Sequence, residues 1–247
     1  MARREALKVA LTRSPTAYAL ARRGYATARF FARQPHEVDY RAFGLLEGDG
    51  PFLDVGANAG QSAFSFRIVR RRNPIVSVEP NPFHEGDLRW AGRLVRRFDY
   101  RLWAAGAQDG SMTLHVPIFR GVPLTTEASL RREAVVGSTS LRSRLGVRMD
   151  GAEFRVEERT VAVRALDALG LEPSFVKLDV QGFEHDALLG LRDTVTRSRP
   201  AIMVESASRA TRDLLQDLGY RPYSYDPRRH ALEPEGSPRV NTFFRVV

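Results

Sequence analysis

Two groups of residues in this sequence have the types and spacing of a ligand-binding site. The first is a loop from Gly56 to Gly60, with Asn58 at its centre, which follows the apolar segment Phe52–Val55. A helix-like segment begins directly after it, at Gln61. Glycines allow the backbone N–H groups at the start of a helix to approach a ligand closely. The pattern predicts a binding loop in which Gly56, Asn58 and Gly60 contact the ligand.

Glu79 indicates what kind of ligand the loop binds. It ends a second apolar segment, Ile75–Val78, 19 residues after Gly60. In nucleotide-binding α/β folds an acidic residue at this place accepts hydrogen bonds from the ribose hydroxyls. Loop and acid together predict a cofactor that contains a nucleoside, with Pro80 and Asn81 as further contacts.

Asp54 narrows the choice of cofactor by its charge. A carboxylate directly before the loop would repel a pyrophosphate, since like charges about 4 Å apart cost about 4 kcal/mol at an effective dielectric near 20. The same carboxylate suits the ammonium and sulfonium groups of S-adenosyl-L-methionine. No G-K-[ST] follows the loop, so it is not a P-loop. A structural turn with Asp54 as a helix cap stays open as an alternative.

The second group lies where the apolar segment Phe175–Leu178 ends and the next helix-like segment begins. If S-adenosyl-L-methionine transfers its methyl group to a hydroxyl, the acceptor must be aligned and its proton removed. Asp179 is our candidate base. His185, whose ordinary pKa is better suited, and Glu205, at the end of the next apolar segment, are the rivals.

A divalent metal ion is an alternative use of these carboxylates, because hard oxygen ligands suit Mg²⁺ and Ca²⁺. We do not favour it and predict no metal site. The remaining histidines show no ligand spacing and are interpreted as surface or turn residues: His36, His84, His115 and His230.

The elements that must position these residues follow a strand and helix alternation, which predicts a doubly wound, mostly parallel α/β sheet. Short apolar runs typical of buried strands lie at 52–55, 75–78, 100–104, 175–178 and 201–204. Helix-like segments lie at 61–71, 82–97, 183–197 and 208–218. Two β-type runs, Tyr220–Tyr225 and Thr242–Val247, predict a closing antiparallel hairpin.

Composition excludes several classes of protein. The chain has 247 residues, 43% of them hydrophobic and 27% charged, which is typical of a globular domain. It contains no cysteine, which excludes disulfides and cysteine-ligated metals. No apolar run is long enough to cross a membrane, and Thr12, Arg13 and Ser14 stand where a secretory signal would be apolar, so we expect a cytoplasmic protein.

The net charge of +9 at first suggests a nucleic-acid binder. Nearly all the basic residues are arginine, however, which indicates a compositional bias, and we predict no nucleic-acid partner. Residues 1–35 contain eight basic residues and one acidic residue, so the excess is partly local. Peripheral contact of this segment with a membrane surface is possible.

Four segments, taken in order, resemble the motifs of the FkbM family of S-adenosylmethionine-dependent methyltransferases. They are Phe52–Gly60, Val78–Pro82, Val176–Glu184 and Val204–Glu205. The resemblance implies a seven-stranded class I methyltransferase fold, Rossmann-like, and O-methylation of a saccharide or other secondary metabolite. Gln181 departs from the family, which usually has Glu there.

The expected organisation is a basic N-terminal helical extension at 1–50 and a methyltransferase domain at 51–247. An insertion at about 117–158, rich in Gly, Ser, Thr and Arg, is expected to help form the acceptor site. A non-catalytic cofactor-binding paralogue and an NAD-dependent oxidoreductase are the alternative functions. The sequence does not determine the acceptor or the oligomeric state.

Overall fold

The structure, a computed structural model, describes residues 14–137, 153–237 and 239–246. The strands in these ranges are β1 (Phe52–Val55), β2 (Ile75–Val78), β3 (Phe98–Arg101), β4 (Ala104–Ala105), β5 (Gly110–Phe119), β6 (Val122–Pro123), β7 (Phe154–Arg164), β8 (Phe175–Leu178), β9 (Ala201–Glu205), β10 (Tyr220–Asp226), β11 (Ala231–Pro234) and β12 (Asn241–Val246). The helices are α1 (Pro15–Phe31), α2 (Gln61–Val69), α3 (Glu85–Leu94), α4 (Arg132–Val136), α5 (Glu184–Leu189), α6 (Arg192–Ser198) and α7 (Arg209–Asp217).

The main sheet has the strand order β11-β10-β12-β9-β8-β1-β2-β3. Its five strands from β9 to β3 are parallel, and β12, β10 and β11 are antiparallel. The doubly wound, mostly parallel α/β fold with an antiparallel C-terminal pair is therefore confirmed. The expected count of seven strands is wrong for this sheet, since β11 adds an eighth within the segment interpreted as a turn.

Both faces of the main sheet are covered, which explains why its central strands are apolar throughout. All residues of β1 and β8 are buried. Along β1, Phe52 packs in one apolar cluster and Leu53 and Val55 in another. A sheet covered by helices on both faces requires such uninterrupted apolar runs.

A second, smaller sheet has the order β4-β7-β5-β6. β5 and β7 pair antiparallel from Gly110 and Val163 to Phe119 and Phe154. The expected single strand at 100–104 is wrong: β3 ends at Arg101, and Ala104 begins β4 in the other sheet. Part of the insertion, residues 138–152, lies outside the described residues.

The segment before β1 packs against the sheet. Tyr40, Ala42 and Phe43 are fully buried in a 3₁₀ helix, Val38–Leu45. By contrast, α1 has no fully buried residue, and Ser14 caps its first turn. Arg22 joins α1 to two neighbours by donating to Thr125 Oγ1 at 2.7 Å and to the carboxylate of Asp87.

Candidate functional site

A cavity of about 870 Å³, open to solvent, lies at the carboxyl ends of β1, β2 and β8. We call it the cofactor cavity. Of the predicted site residues, Gly56, Asn58, Glu79, Pro80, Asn81 and Asp179 line it. Carboxyl ends of adjacent parallel strands meet at one edge of a sheet, which is where open α/β folds bind ligands.

Gly56 is required by the way two loops cross. Its φ is +81°, in the left-handed region, and a Cβ built on it would lie 1.7 Å from the carbonyl oxygen of Asp179. The Asp179 N–H in turn donates to Val55 O at 3.1 Å. Glycine therefore allows the β1 and β8 loops to touch, which brings Asp179 beside the binding loop.

Glu79 joins the loop after β1 to the segment after β2. Its Oε2 accepts the Asn58 N–H at 2.7 Å, and its Oε1 accepts the Asn81 N–H at 2.9 Å. A carboxylate has about four acceptor positions, so lone pairs remain for two hydroxyls. Asn81 Nδ2 is buried without a hydrogen-bond partner in the described part of the chain. A ribose with its hydroxyls fits this set of donors and acceptors.

Asp54 does not line the cavity. Its side chain is fully buried behind the loop, where Oδ2 accepts hydrogen bonds from Ser62 at 2.6 Å and Ser77 at 2.7 Å. Burial raises its pKa, and the nearby Lys177 opposes that shift. The Asp54 carboxylate therefore joins β1 to α2 and β2 behind the binding loop. Gly60 also lies outside the lining and begins α2 with φ +81°.

The buried Lys177 and the partly exposed Asp179 form an ion pair at the cavity wall. Lys177 Nζ lies 3.0 Å from Asp179 Oδ2 and 3.8 Å from Asp54 Oδ1, and it donates to Gly56 O at 2.8 Å. Burial opposes the Lys177 charge, but the Asp179 and Asp54 carboxylates outweigh it and raise the pKa of Lys177. The pair fixes Asp179 in its ionised form.

Glu205 reaches Asp179 from the end of β9, outside the cavity lining. The hydrogen bond with Asp179, then burial, raises the pKa of Glu205 to about 8. Burial also disfavours ionised Asp179, but Lys177 and the hydrogen bond from Glu205 lower its pKa on balance. The raised pKa of Glu205 and the lowered pKa of Asp179 together favour the proton on Glu205 and the negative charge on Asp179.

Three further residues follow β8, and of these only Gln181 lines the cavity, whereas Glu184 and His185 do not. His185 lies on α5, outside the cavity lining. Glu184 Oε1 accepts the N–H groups of Val180 at 3.0 Å and Gly182 at 3.1 Å, which stabilises the turn before α5. Gln181, with φ +55°, lines the cavity and donates to Asp179 Oδ1 at 3.3 Å.

His36 is a cavity residue that the sequence did not indicate. It was interpreted as a surface or turn histidine, but its ring lines the cofactor cavity, with Nδ1 2.8 Å from Ser65 Oγ. Burial and the charge of Lys177 lower its pKa to about 3, so the imidazole is neutral. No spacing signal exists, since the segment lies before β1 and meets the loop only through tertiary packing.

The insertion and β4 also contribute to the cavity. Four insertion residues line it: Thr125, Ala128, Ser129 and Leu130. Ala104 and Ala105, which form β4, line it as well. Within the described ranges, no three His, Cys, Asp or Glu side chains are grouped so that they could hold a metal ion. No helix in those ranges is long and apolar enough to cross a membrane.

Comparison with protein families gives one match. Residues 54–222 match the sequence model of the family described as "Methyltransferase FkbM domain". The match covers more than half of the chain and includes the binding loop, Glu79, Asp179 and Glu205. No curated protein matches the sequence.

Several solved structures are similar at low sequence identity. Methyltransferase FkbM from Methylobacillus flagellatus KT is 17% identical with a TM-score of 0.49, over 83% of this chain and 47% of that one. This chain thus spans about half the length of that protein. TehB-like SAM-dependent methyltransferase from Corynebacterium glutamicum is 9% identical with a TM-score of 0.43, over 94% and 98%. Precorrin-6y C5,15-methyltransferase from Geobacter metallireducens is 13% identical with a TM-score of 0.41, over 83% and 84%.

Proposed function

Since the chain belongs to the FkbM methyltransferase family and is an S-adenosylmethionine-dependent methyltransferase, we propose that it methylates a hydroxyl of a saccharide or other secondary metabolite. The observation that carries the proposal is the position of Asp179. An ionised carboxylate stands in the same cavity as the binding loop and Glu79. A hydroxyl acceptor needs a proton acceptor at this place.

The cavity fits the cofactor on its own chemistry. Glu79 keeps acceptor capacity for the ribose, and Asn81 Nδ2 offers an unused donor, while Gly56 lets the loop that carries Asp179 pack against the binding loop. When bound, S-adenosylmethionine supplies an electrophilic methyl group. We assign binding roles to Gly56, Asn58, Glu79, Pro80 and Asn81, and supporting roles to Asp54 and Gly60.

Asp179 accepts the proton of the acceptor hydroxyl in this proposal. Its low pKa does not prevent this, because the hydroxyl becomes strongly acidic as its oxygen forms the new bond to carbon. Lys177 holds the carboxylate in place at 3.0 Å, and Glu205 donates to it. Glu205 is thus a positioning residue. His185 has no role in this arrangement, since it lies outside the cavity lining.

The insertion contributes to acceptor binding. Its residues Thr125, Ala128, Ser129 and Leu130 line the cavity, which supports the expectation from the sequence. The cytoplasmic location, membrane contact through residues 1–35 and the division of the chain at residue 50 stay predictions from the sequence.

The proposal is tested by methyl transfer from methyl-labelled S-adenosylmethionine to a panel of hydroxylated saccharides and phenols. The product is identified by mass spectrometry. Asp179→Asn keeps the shape and removes the proton acceptor, so kcat should fall by about 10² to 10⁴ while S-adenosylhomocysteine still binds. Retention of more than about a tenth of wild-type kcat would exclude Asp179 as the base, because general-base catalysis contributes more than that.

A further inference from the structure

A second cavity, of about 900 Å³ and open to solvent, lies between α1 and the side of the domain formed by α2 and α3. We call it the α1 groove. His36, Asn58 and Gln61 line both this groove and the cofactor cavity. The two spaces are therefore adjacent at these residues, so a molecule in the groove would lie beside the cofactor cavity.

Four aromatic side chains contribute to the walls of the α1 groove. Tyr25 and Phe30 line it from α1, and Phe64 and Trp90 line it from α2 and α3. Trp90 is held in place by donating from Nε1 to Thr27 Oγ1 at 3.1 Å. Flat apolar walls of this kind suit a ring compound, such as an aromatic ring or the face of a sugar.

The charge of the groove is positive. Arg22, Arg23 and Arg29 line it, whereas Asp87 is the single carboxylate among the lining residues that the structure describes. Arg22 and Arg23 both pair with Asp87. Arg29 instead donates to the backbone oxygens of Gln34 and Pro35 and to Tyr25 Oη. Three cations against one anion favour a negatively charged ligand, because opposite charges attract strongly at a partly desolvated site.

The position of His36 at the junction is fixed by two contacts with Ser65. The His36 backbone N–H donates to Ser65 Oγ at 2.9 Å, and the ring Nδ1 lies 2.8 Å from the same oxygen. Its Nε2 lies 3.6 Å from Glu37 Oε1. A neutral, oriented imidazole can hydrogen-bond a hydroxyl that passes from the groove towards Asp179.

We propose that the α1 groove binds the non-reacting part of a negatively charged ring compound, the methyl acceptor, whose hydroxyl enters the cofactor cavity past His36. This inference rests on the proposed function. It places part of acceptor recognition in the segment before residue 54, outside the matched family region, and the other part on α2 and α3 within that region. His36 is a positioning residue for the hydroxyl.

Binding is tested with 4-nitrophenyl glucuronide, which combines an aromatic ring, a sugar and one carboxylate. The nitrophenyl group should quench the fluorescence of Trp90, and Trp90→Phe should abolish that quenching while the buried Trp103 remains. The chain has two tryptophans, so the signal can be assigned. Saturating S-adenosylhomocysteine should leave the glucuronide bound. Displacement by S-adenosylhomocysteine, or no quenching in the wild type, would overturn the proposal.

Two phenylalanine variants on α1 form a matched pair. Ala26 lines the groove, whereas Ala28 is exposed on the outer face of the same helix. Ala26→Phe should fill the groove and weaken glucuronide binding at least about tenfold, which is an easily measured change in Kd. Ala28→Phe should change that Kd less than about twofold. Both should bind S-adenosylhomocysteine like the wild type, and equal weakening by the two variants would count against the groove.

The charge preference is tested with the neutral 4-nitrophenyl glucoside. The glucuronide should bind about fivefold more tightly, as expected for one partly solvated charge interaction. Arg29→Gln should reduce this ratio towards one, and Arg29→Lys should retain it. Equal affinity of the two compounds for the wild type would refute the anionic part of the proposal.

The groove and the proposed methyl transfer can fail separately. Quenching by the glucuronide that Ala26→Phe weakens, together with no methylated product from any hydroxyl acceptor, would support the groove and reject the transferase chemistry assigned above. Turnover of an acceptor with the same KM in Ala26→Phe and the wild type would reject the groove alone. For a groove-bound acceptor, His36→Gln should raise KM more than it lowers kcat.

Discussion

Glu79 is the residue on which both sides of the binding loop depend. It accepts one backbone N–H from the loop after β1 and one from the segment after β2. Its carboxylate is 7% exposed, so water competes weakly for these bonds. A ribose hydroxyl that binds the same carboxylate therefore meets an acceptor whose orientation is already fixed.

Glu79→Ala should weaken binding of S-adenosylhomocysteine about ten- to hundredfold, since a hydrogen bond to a charged group contributes about 1.5 to 3 kcal/mol. Isothermal titration calorimetry measures the change. Glu172→Ala is the control, because the Glu172 side chain is exposed and does not line the cofactor cavity. An unchanged dissociation constant in Glu79→Ala would remove this residue from the ribose site.

Glu205 gives the site a dependence on alkaline pH. Its pKa, raised to about 8 chiefly by Asp179, means that its protonated form donates to Asp179 below that pH. Above that pH, Glu205 and Asp179 are both negatively charged and repel each other, so we expect the Asp179 carboxylate to be displaced or shielded. We expect kcat to fall as the pH rises through about 8.

Glu205→Gln should remove that alkaline loss, because the amide keeps a donor for Asp179 and cannot ionise. The same raised pKa means that the stability contribution of protonated Glu205 is complete below about pH 4.5 and is lost as the pH rises through about 8. Chemical unfolding at several pH values should therefore show a flatter profile for the variant over this window. An identical alkaline limb of kcat in both proteins would contradict the assignment.

At the scale of elements, the 3₁₀ helix Val38–Leu45 is part of the core. The ring of Phe43 lies 5.4 to 5.8 Å, between centroids, from four other phenylalanines. These are Phe52, Phe66, Phe175 and Phe243. They come from β1, α2, β8 and β12, so the segment before residue 50 closes one face of the main sheet.

Phe43→Ala should lower the free energy of unfolding by about 3 to 5 kcal/mol, as for other large aromatic side chains removed from cores. Phe31→Ala, at the exposed end of α1, should change it by less than about 0.5 kcal/mol. Urea titration compares the two. A small effect of Phe43→Ala would indicate that this segment can be separated from the domain.

At the scale of the whole molecule, some arginine side chains bind backbone carbonyls and aromatic rings within the fold. Arg67, for example, is 8% exposed and donates to the backbone carbonyls of Arg70, Asn73 and Arg96. Arg70 lies over the ring of Phe175 with its Cζ 4.7 Å from the centroid. The charges of Arg67 and Arg70 are therefore used within the fold, and the lack of a nucleic-acid partner stays a prediction from the sequence.

S-adenosylhomocysteine, the product of the cofactor, should raise the free energy of unfolding of the protein, whereas NAD should not. At about 100 times its Kd, S-adenosylhomocysteine adds about 2.7 kcal/mol to the free energy of unfolding. For a chain of this length that raises Tm by about 5 to 10 °C in a thermal scan. A comparable shift with NAD would contradict the argument that Asp54 disfavours a pyrophosphate.

The sequence by itself determined the features that depend on neighbours along the chain. Apolar runs located the buried strands, and residues at their carboxyl ends, Glu79 and Asp179, were placed at one edge because parallel strands all end there. The binding loop followed from glycines between a strand and a helix. These inferences depend on the parallel strands β1, β2 and β8, so the edge strand β11, which was not predicted, did not affect them.

Tertiary structure alone decided which side chains face the cavity. Asp54 lies behind its loop because Ser62 and Ser77 hold its carboxylate there, and His185 lies outside the lining. His36 enters the cavity, and Glu205 forms a hydrogen bond with Asp179, through packing between segments far apart in sequence. Side-chain direction and burial set both contacts and pKa, and neither quantity is encoded in local spacing.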